Sequence, residues 1–136
     1  MRGLMAQEGL PYGERTHTFN SRLAQELGAW AATHTDGAGI HDALFQAYFV
    51  EGKNIGDIDT LVAVAEAAGL PGAAARQALV SRCCKDAVDA DWQRAIQMGV
   101  TGVPTFVAQG RGVVGAQPYE TLELLVVLAG AQRREA

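Results

Sequence analysis

Cysteine is almost missing from this chain. Its 136 residues carry two, and the two are neighbours, Cys83 and Cys84. Adjacent thiols exclude a disulfide framework, a C-x-x-C redox motif and the paired C-x-x-C ligands of a zinc site. Long apolar runs are missing as well. No stretch of about 18 uncharged apolar residues occurs, so no membrane span is expected. The stretch Met1–Glu8 lacks the apolar centre of a secretory signal, which predicts a cytoplasmic protein. Positive charge is in deficit: 11 Lys and Arg against 15 Asp and Glu leave a net charge of −4. That balance argues against nucleic acid or an anionic membrane as partner, because both are held by basic patches. There is no Gly-rich phosphate loop, since Gly110 and Gly112 fall in a hairpin rather than before a helix. No internal repeat and no low-complexity tract is evident.

What is present is a globular composition, 49% hydrophobic and 19% charged, at a length that suits one domain with a real core. Residues 2–8 read as a short helix ended by Gly9, and Leu10–Gly13 as a turn or extended lead-in. Leu23, Ala24, Leu27, Trp30 and Ala31 fall on one face of a helix over about 20–34, with Thr18, Asn20 or Ser21 as candidate caps. Asp36–Gly39 breaks the pattern. A wide apolar face (Ile40, Leu44, Ala47 and Tyr48, with Phe45 and Phe49 beside it) predicts a helix over 39–50, ended by a left-handed Gly52. Asp57 caps a helix over 58–68, stopped by Gly69. Pro71 suits the first turn of a helix over 72–82, with Ala75, Ala78 and Leu79 inward. Cys84, Val88, Trp92, Ala95 and Ile96 mark a helix over 84–98 that ends at Gly99.

The period then changes. Thr105–Ala108 reads as a strand, Gln109–Gly112 as a hairpin loop, and Val113–Val114 as the start of a returning strand. Pro118 opens a last helix with Leu122, Leu125, Val126 and Ala129 on its apolar face, and the polar tail Gln132–Ala136 is expected to fray. The fold class is α+β, mostly helical: a helical subdomain followed by a β-hairpin and a C-terminal helix. A two-stranded hairpin is marginal alone. Thr105 to Ala108 is apolar on consecutive positions, as in a strand covered on both faces, and it needs neighbours.

Few residues carry obvious chemistry. Cys84 reads as a small buried residue with Cys83 as its half-exposed neighbour; the other reading is a redox-sensing or metal-touched pair. His17, His34 and His41 have no zinc-ligand spacing. His34, near a helix C-terminus, suits a favourable dipole contact. Asp57, Asp59, Asp86, Asp89 and Asp91 read as caps and solvated faces, and Trp30, Trp92, Phe45, Tyr48 and Phe49 as core. Val103-Pro104 has two readings: a plain helix-to-strand connector, or a backbone recognition site built on a cis proline.

Several motifs in fixed order bear on that choice: Asn20-Ser21, Ala43 to Gly52, Asn54-Ile55-Gly56-Asp57, Gly99 to Phe106, and Gly115-Ala116-Gln117-Pro118. As a set they resemble the C-terminal two-thirds of DsbA-family thioredoxin-like proteins, closest to the FrnE-type oxidoreductase branch. The resemblance implies a single DsbA-like domain over 1–136, a partial thioredoxin-like fold. Residues 16–98 would be the helical insertion and 99–131 the second half of the thioredoxin core. It favours the cis bond, and it makes Thr101, Gly102, Val103 and Pro104 the substrate-binding residues, with the backbone at Val103 pairing an extended peptide or glutathione. The family's redox C-x-x-C precedes this region and has no counterpart here. No catalytic residue is assigned; Cys83 and Cys84 are the remaining candidates, and neither meets the family's description of a low-pKa thiol at a helix N-terminus.

The expected function is that of a relative of thiol-disulfide oxidoreductases, with little redox activity from this chain alone. Two alternatives stand beside it. One is a non-catalytic peptide-binding or oligomerising module, most simply a homodimer formed through the exposed strand near Val103 to Ala108. The other is a relative of the glutathione-dependent isomerases and transferases that share the fold, with glutathione as ligand; no other cofactor and no metal is expected.

Overall fold

The computed structural model describes residues 2–14 and 16–132. The chain divides into two compact units, Met1–Asp89 and Ala90–Ala136. From residue 133 on, the tail expected to fray lies outside the described residues.

The first unit is helical. Helix α1 (Arg2–Gln7) ends ahead of a left-handed Gly9. Helix α2 (Arg22–Ala31) is shorter than its apolar spacing suggests. Its N-cap, Ser21, makes no side-chain cap bond; Asn20 Oδ1 instead accepts from the Arg22 N–H at 2.8 Å. The break that follows is steric as well as conformational. A Cβ on Gly37 would lie 1.8 Å from the Ala31 carbonyl oxygen, so only glycine lets the chain turn there. A 3-10 turn, Gly37–Gly39, then leads into α3 (Ile40–Phe45).

The expected regular helix over 39–50 does not persist: Gln46–Val50 is a π-helical turn. The lead-in docks on that wide turn. Gly13 N–H donates to Phe49 O at 2.9 Å, Tyr12 stacks on Phe49, and a Cβ on Gly13 would meet Val50 O at 1.9 Å. Phe45, expected in the core, is 59% exposed. Gly52 is left-handed.

Helix α4 (Ile58–Ala67) begins at the Asp57 cap, whose carboxylate accepts from Thr60 N at 2.8 Å and Thr60 Oγ1 at 2.9 Å. These bonds hold the Asp57 carboxyl below its ordinary range. Helix α5 (Gly72–Ser81) follows Pro71, which stands just outside it as the N-cap. Its small inner face, Ala75 and Ala78 beside Leu79, packs on α4 and α2, while α3 packs on both α2 and α4. Leu27, Ile40, Leu61 and Leu79 are the largest fully buried side chains of this core. Arg82 closes α5 in the left-handed region (φ 56°), and α6 (Lys85–Gln97) starts after the Cys83-Cys84 corner.

Helix α6 corrects an expectation. Val88 is buried, but Trp92 is 50% and Ile96 71% exposed. Periodicity specifies an apolar face; it does not specify that the chain supplies a surface to cover it.

The second unit holds β1 (Thr105–Ala108), β2 (Arg111–Val114) and α7 (Tyr119–Leu128), and α7 packs on both strands. The strands pair antiparallel from Thr105↔Val114 to Ala108↔Arg111. The loop is a two-residue turn, Gln109-Gly110, rather than the expected four, so β2 starts two residues early. Gln109 (φ 48°) and Gly110 (φ 73°) are both left-handed, the I′ geometry whose twist matches a hairpin. Of the apolar face expected on α7, Leu125 is buried and Val126 is exposed.

Candidate functional site: the open edge of β1 and the Cys83-Cys84 corner

Gly99, left-handed at φ 73°, follows the end of α6, and Val100–Pro104 leads into β1. The Val103–Pro104 peptide bond is cis. Val103 is 91% exposed, and Thr105 Oγ1 donates to Gly102 O at 2.6 Å, tying the lead-in to the first strand residue. The phase of the ladder decides which backbone groups are left over. Gly115 N donates to Pro104 O at 2.8 Å, so Pro104/Gly115 is a hydrogen-bonded pair. Bonded and non-bonded pairs alternate along an antiparallel ladder. Phe106/Val113 and Ala108/Arg111 are therefore bonded, and Thr105 and Val107 turn their N–H and C=O groups away from β2. Among the described residues the sheet has only these two strands. The edge of β1 thus offers donors and acceptors at alternate residues, continuous with the exposed backbone of Val103.

Although α7 packs on both strands, the hairpin keeps an exposed apolar side chain on each face. Phe106 and Val114 belong to neighbouring pairs, so they lie on opposite faces, and both are exposed. On α7, a groove of about 710 Å³ runs along Tyr119, Leu122, Val126 and Val127, with Glu123 and Gln132 at its polar positions.

The structure keeps Thr101, Gly102, Val103 and Pro104 together at the start of β1. Cys83 and Cys84 stand in the first unit, on the corner between α5 and α6. Cys83 is exposed, Cys84 is half-buried against the core, both are free thiols, and their Sγ atoms are 3.8 Å apart. Burial pushes the Cys84 thiol up, and the neighbouring Cys83 adds to the effect. This is not the low-pKa thiolate of a disulfide-exchange site.

One group escapes the expectations above. Glu26 is 2% exposed, with its carboxylate held by Arg82 (Nε to Oε2 and Nη2 to Oε1, both 2.6 Å) and by Arg22 Nε at 2.9 Å. Arg22 also bonds Asp89 and donates to Lys85 O at 2.9 Å, and Lys85 Nζ reaches Asp89 Oδ2 at 2.7 Å. The hydrogen bonds from Arg82 hold the Glu26 carboxyl below the usual range, although burial pulls the other way. Lys85 and then Arg22 depress Asp89 in the same sense. The signal in the sequence was a carboxylate three residues after Leu23 and four before Trp30, inside the apolar stripe of α2.

The histidines stay apart. His34 Nδ1 lies 3.2 Å from Trp30 O, with its ring over Trp30; His17 stacks on Phe19. Among the described residues no group of three or more His, Cys, Asp or Glu is arranged to hold a metal ion. None of the described helices is long and apolar enough to cross a membrane.

The chain is similar to known proteins. Residues 1–127 match the family model of the DSBA-like thioredoxin domain. A protein of Bacillus subtilis (strain 168), the uncharacterized protein YwbO, is 35% identical over 102 residues, which is 74% of this chain and 51% of that protein. A solved structure of 2-hydroxychromene-2-carboxylate isomerase is similar over 95% of this chain and 62% of its own, with a TM-score of 0.74 and 23% identity. The chain thus spans about half the length of the curated relative and under two thirds of the solved one.

Proposed function

This chain belongs to the family of DSBA-like thioredoxin domains, and on that premise we propose that it holds the substrate in thiol-disulfide chemistry. An extended, thiol-bearing peptide lies along the open edge of β1, with Thr101, Gly102, Val103 and Pro104 receiving its end. Residues 16–98 act as the helical insertion of the family fold and 99–131 as the second half of its thioredoxin core. The carrying observation is the outward N–H and C=O groups of Thr105 and Val107, in line with Val103. Strand addition to such an edge gives affinity through main-chain bonds and asks little of side chains. Lacking a C-x-x-C pair, the chain exchanges few thiols by itself. Two free cysteines suit a reducing compartment, and we propose the cytoplasm as its place of action.

The test is an NMR titration with a cysteine-containing extended peptide. Shifts are expected first at the Val103, Thr105 and Val107 amides; shifts confined to residues before 90 overturn the assignment. A disulfide-reduction assay on the same sample is expected to show background turnover. Turnover that survives replacement of both Cys83 and Cys84 removes any part for them.

A second reading rests on the exposed apolar side chains of the hairpin and of α7. A second copy covers them, making a homodimer through Val103 to Ala108. The isomerase reading keeps only the fold as support, and calorimetry with glutathione decides it: heat of binding favours it, no heat removes it.

A further inference from the structure

The corner between α5 and α6 carries chemistry that the edge of β1 does not use. Its two thiols sit at contact distance, 3.8 Å between Sγ atoms, with Cys83 open to solvent. The corner is braced. Arg82 takes the left-handed turn while its guanidinium is fixed on the buried Glu26. Cys83 N donates to Ala78 O at 3.3 Å, and Lys85 N donates to Arg82 O at 2.9 Å. The sulfurs are thus presented by a fixed turn.

Ligand count narrows what such a pair can hold. No third His, Cys, Asp or Glu joins them among the described residues, so a closed tetrahedral zinc site is short of ligands. Two soft sulfurs on one side suit a soft centre of low coordination with a narrow S–X–S angle. A linear two-coordinate ion such as mercuric ion needs sulfurs on opposite sides, which neighbouring residues on a braced turn do not offer. Disulfide exchange draws on a thiolate, and burial pushes the Cys84 thiol up, which disfavours that form at this sulfur. A condensation that removes both protons as water has no such requirement.

We propose that Cys83 and Cys84 form a chelating dithiol site for trivalent arsenicals. With a monosubstituted arsenoxide, two As–S bonds form and the arsenic–oxygen bond breaks. Both thiol protons leave on that oxygen as one water. Arsenic stays trivalent, no electron is transferred, and the product is a ring closed through both sulfurs.

The probe is phenylarsine oxide on the full chain, followed by native mass spectrometry. One phenylarsenic group per chain is expected, with loss of two thiol hydrogens, retained against excess glutathione and released by 2,3-dimercaptopropanol. The second As–S bond is intramolecular, so Cys83→Ser and Cys84→Ala should each weaken retention about 100-fold. Cys83 is exposed, so its serine variant keeps the fold, checked by circular dichroism. An adduct that glutathione strips, one that survives in either variant, or none at all overturns the proposal. So does retention no better in the folded chain than in urea, since the braced turn would then contribute nothing.

Discussion

Glu26 brings a charge into an apolar stripe, and its three short bonds from Arg82 and Arg22 are what make that tolerable. Removing one partner of a buried pair is costly, but Arg22 and Arg82 both retain some contact with water. Glu26→Ala is therefore expected to cost about 2 kcal/mol, below the 3–5 kcal/mol of a fully enclosed pair. The pH dependence follows from the depressed Glu26 carboxyl. The folded state binds fewer protons at this site than the unfolded chain does. Its contribution is complete above the ordinary carboxylate range and is lost as pH falls through the lowered value. Glu26→Gln, which does not titrate, should lose less of its urea midpoint than the parent between neutral pH and about pH 3; equal losses would assign the acid lability elsewhere. Two glycines close together make a second comparison. A Cβ on Gly37 meets the Ala31 carbonyl at 1.8 Å, whereas one on Gly39 meets nothing within 4 Å. Gly37→Ala should destabilise by about 3 kcal/mol and Gly39→Ala by less than about 0.5, read from urea midpoints.

Among the elements, the hairpin turn is the one most easily improved. A left-handed Gln109 has no glycine's freedom and no asparagine's local hydrogen bond. Gln109→Asn is expected to stabilise the hairpin by about 0.5 kcal/mol, and Gly110→Ala to weaken it by about 1 kcal/mol. Amide exchange at Phe106 and Val113, which face each other across the ladder, reads both changes locally. The same turn shows where sequence reading stops. The helices α2, α4 and α5 were legible because spacing, the Asp57 cap, the stop at Gly69 and the opening at Pro71 agree. The approach Gly99 to Phe106 was legible as part of a family pattern. A two-residue turn opening on Gln109 was not, because its first position carries no turn residue. The π turn over Gln46–Val50 is met by Gly13, far away in sequence. The Glu26 partner Arg82 lies 56 residues on, beyond any helical repeat. Trp92 looked like core because a stripe predicts a face and leaves its cover unspecified.

At the scale of the whole chain, the second unit leaves several large apolar side chains exposed. Phe106 and Val114 stand open on opposite faces of the hairpin, and Tyr119, Leu124, Val127 and Leu128 are exposed on α7. A helix apolar on most sides is one that expects cover, and an unpaired edge such as that of β1 templates another strand. A two-fold partner answers the second need directly, because β1 added antiparallel to its own copy pairs the outward groups of Thr105 and Val107 and places like faces side by side. On this second reading the copy competes with the peptide for the same edge, and sedimentation of the peptide-free chain at micromolar concentration is expected to show a dimer. Val107→Pro removes an outward N–H without touching the bonds to β2, and a strand edge tolerates proline; it should shift the chain to monomer, with helical circular dichroism unchanged. A parent chain that sediments as a monomer would overturn the pairing. A dimer that persists in the proline variant would move the interface from the β1 edge to the groove along Tyr119 and Val126.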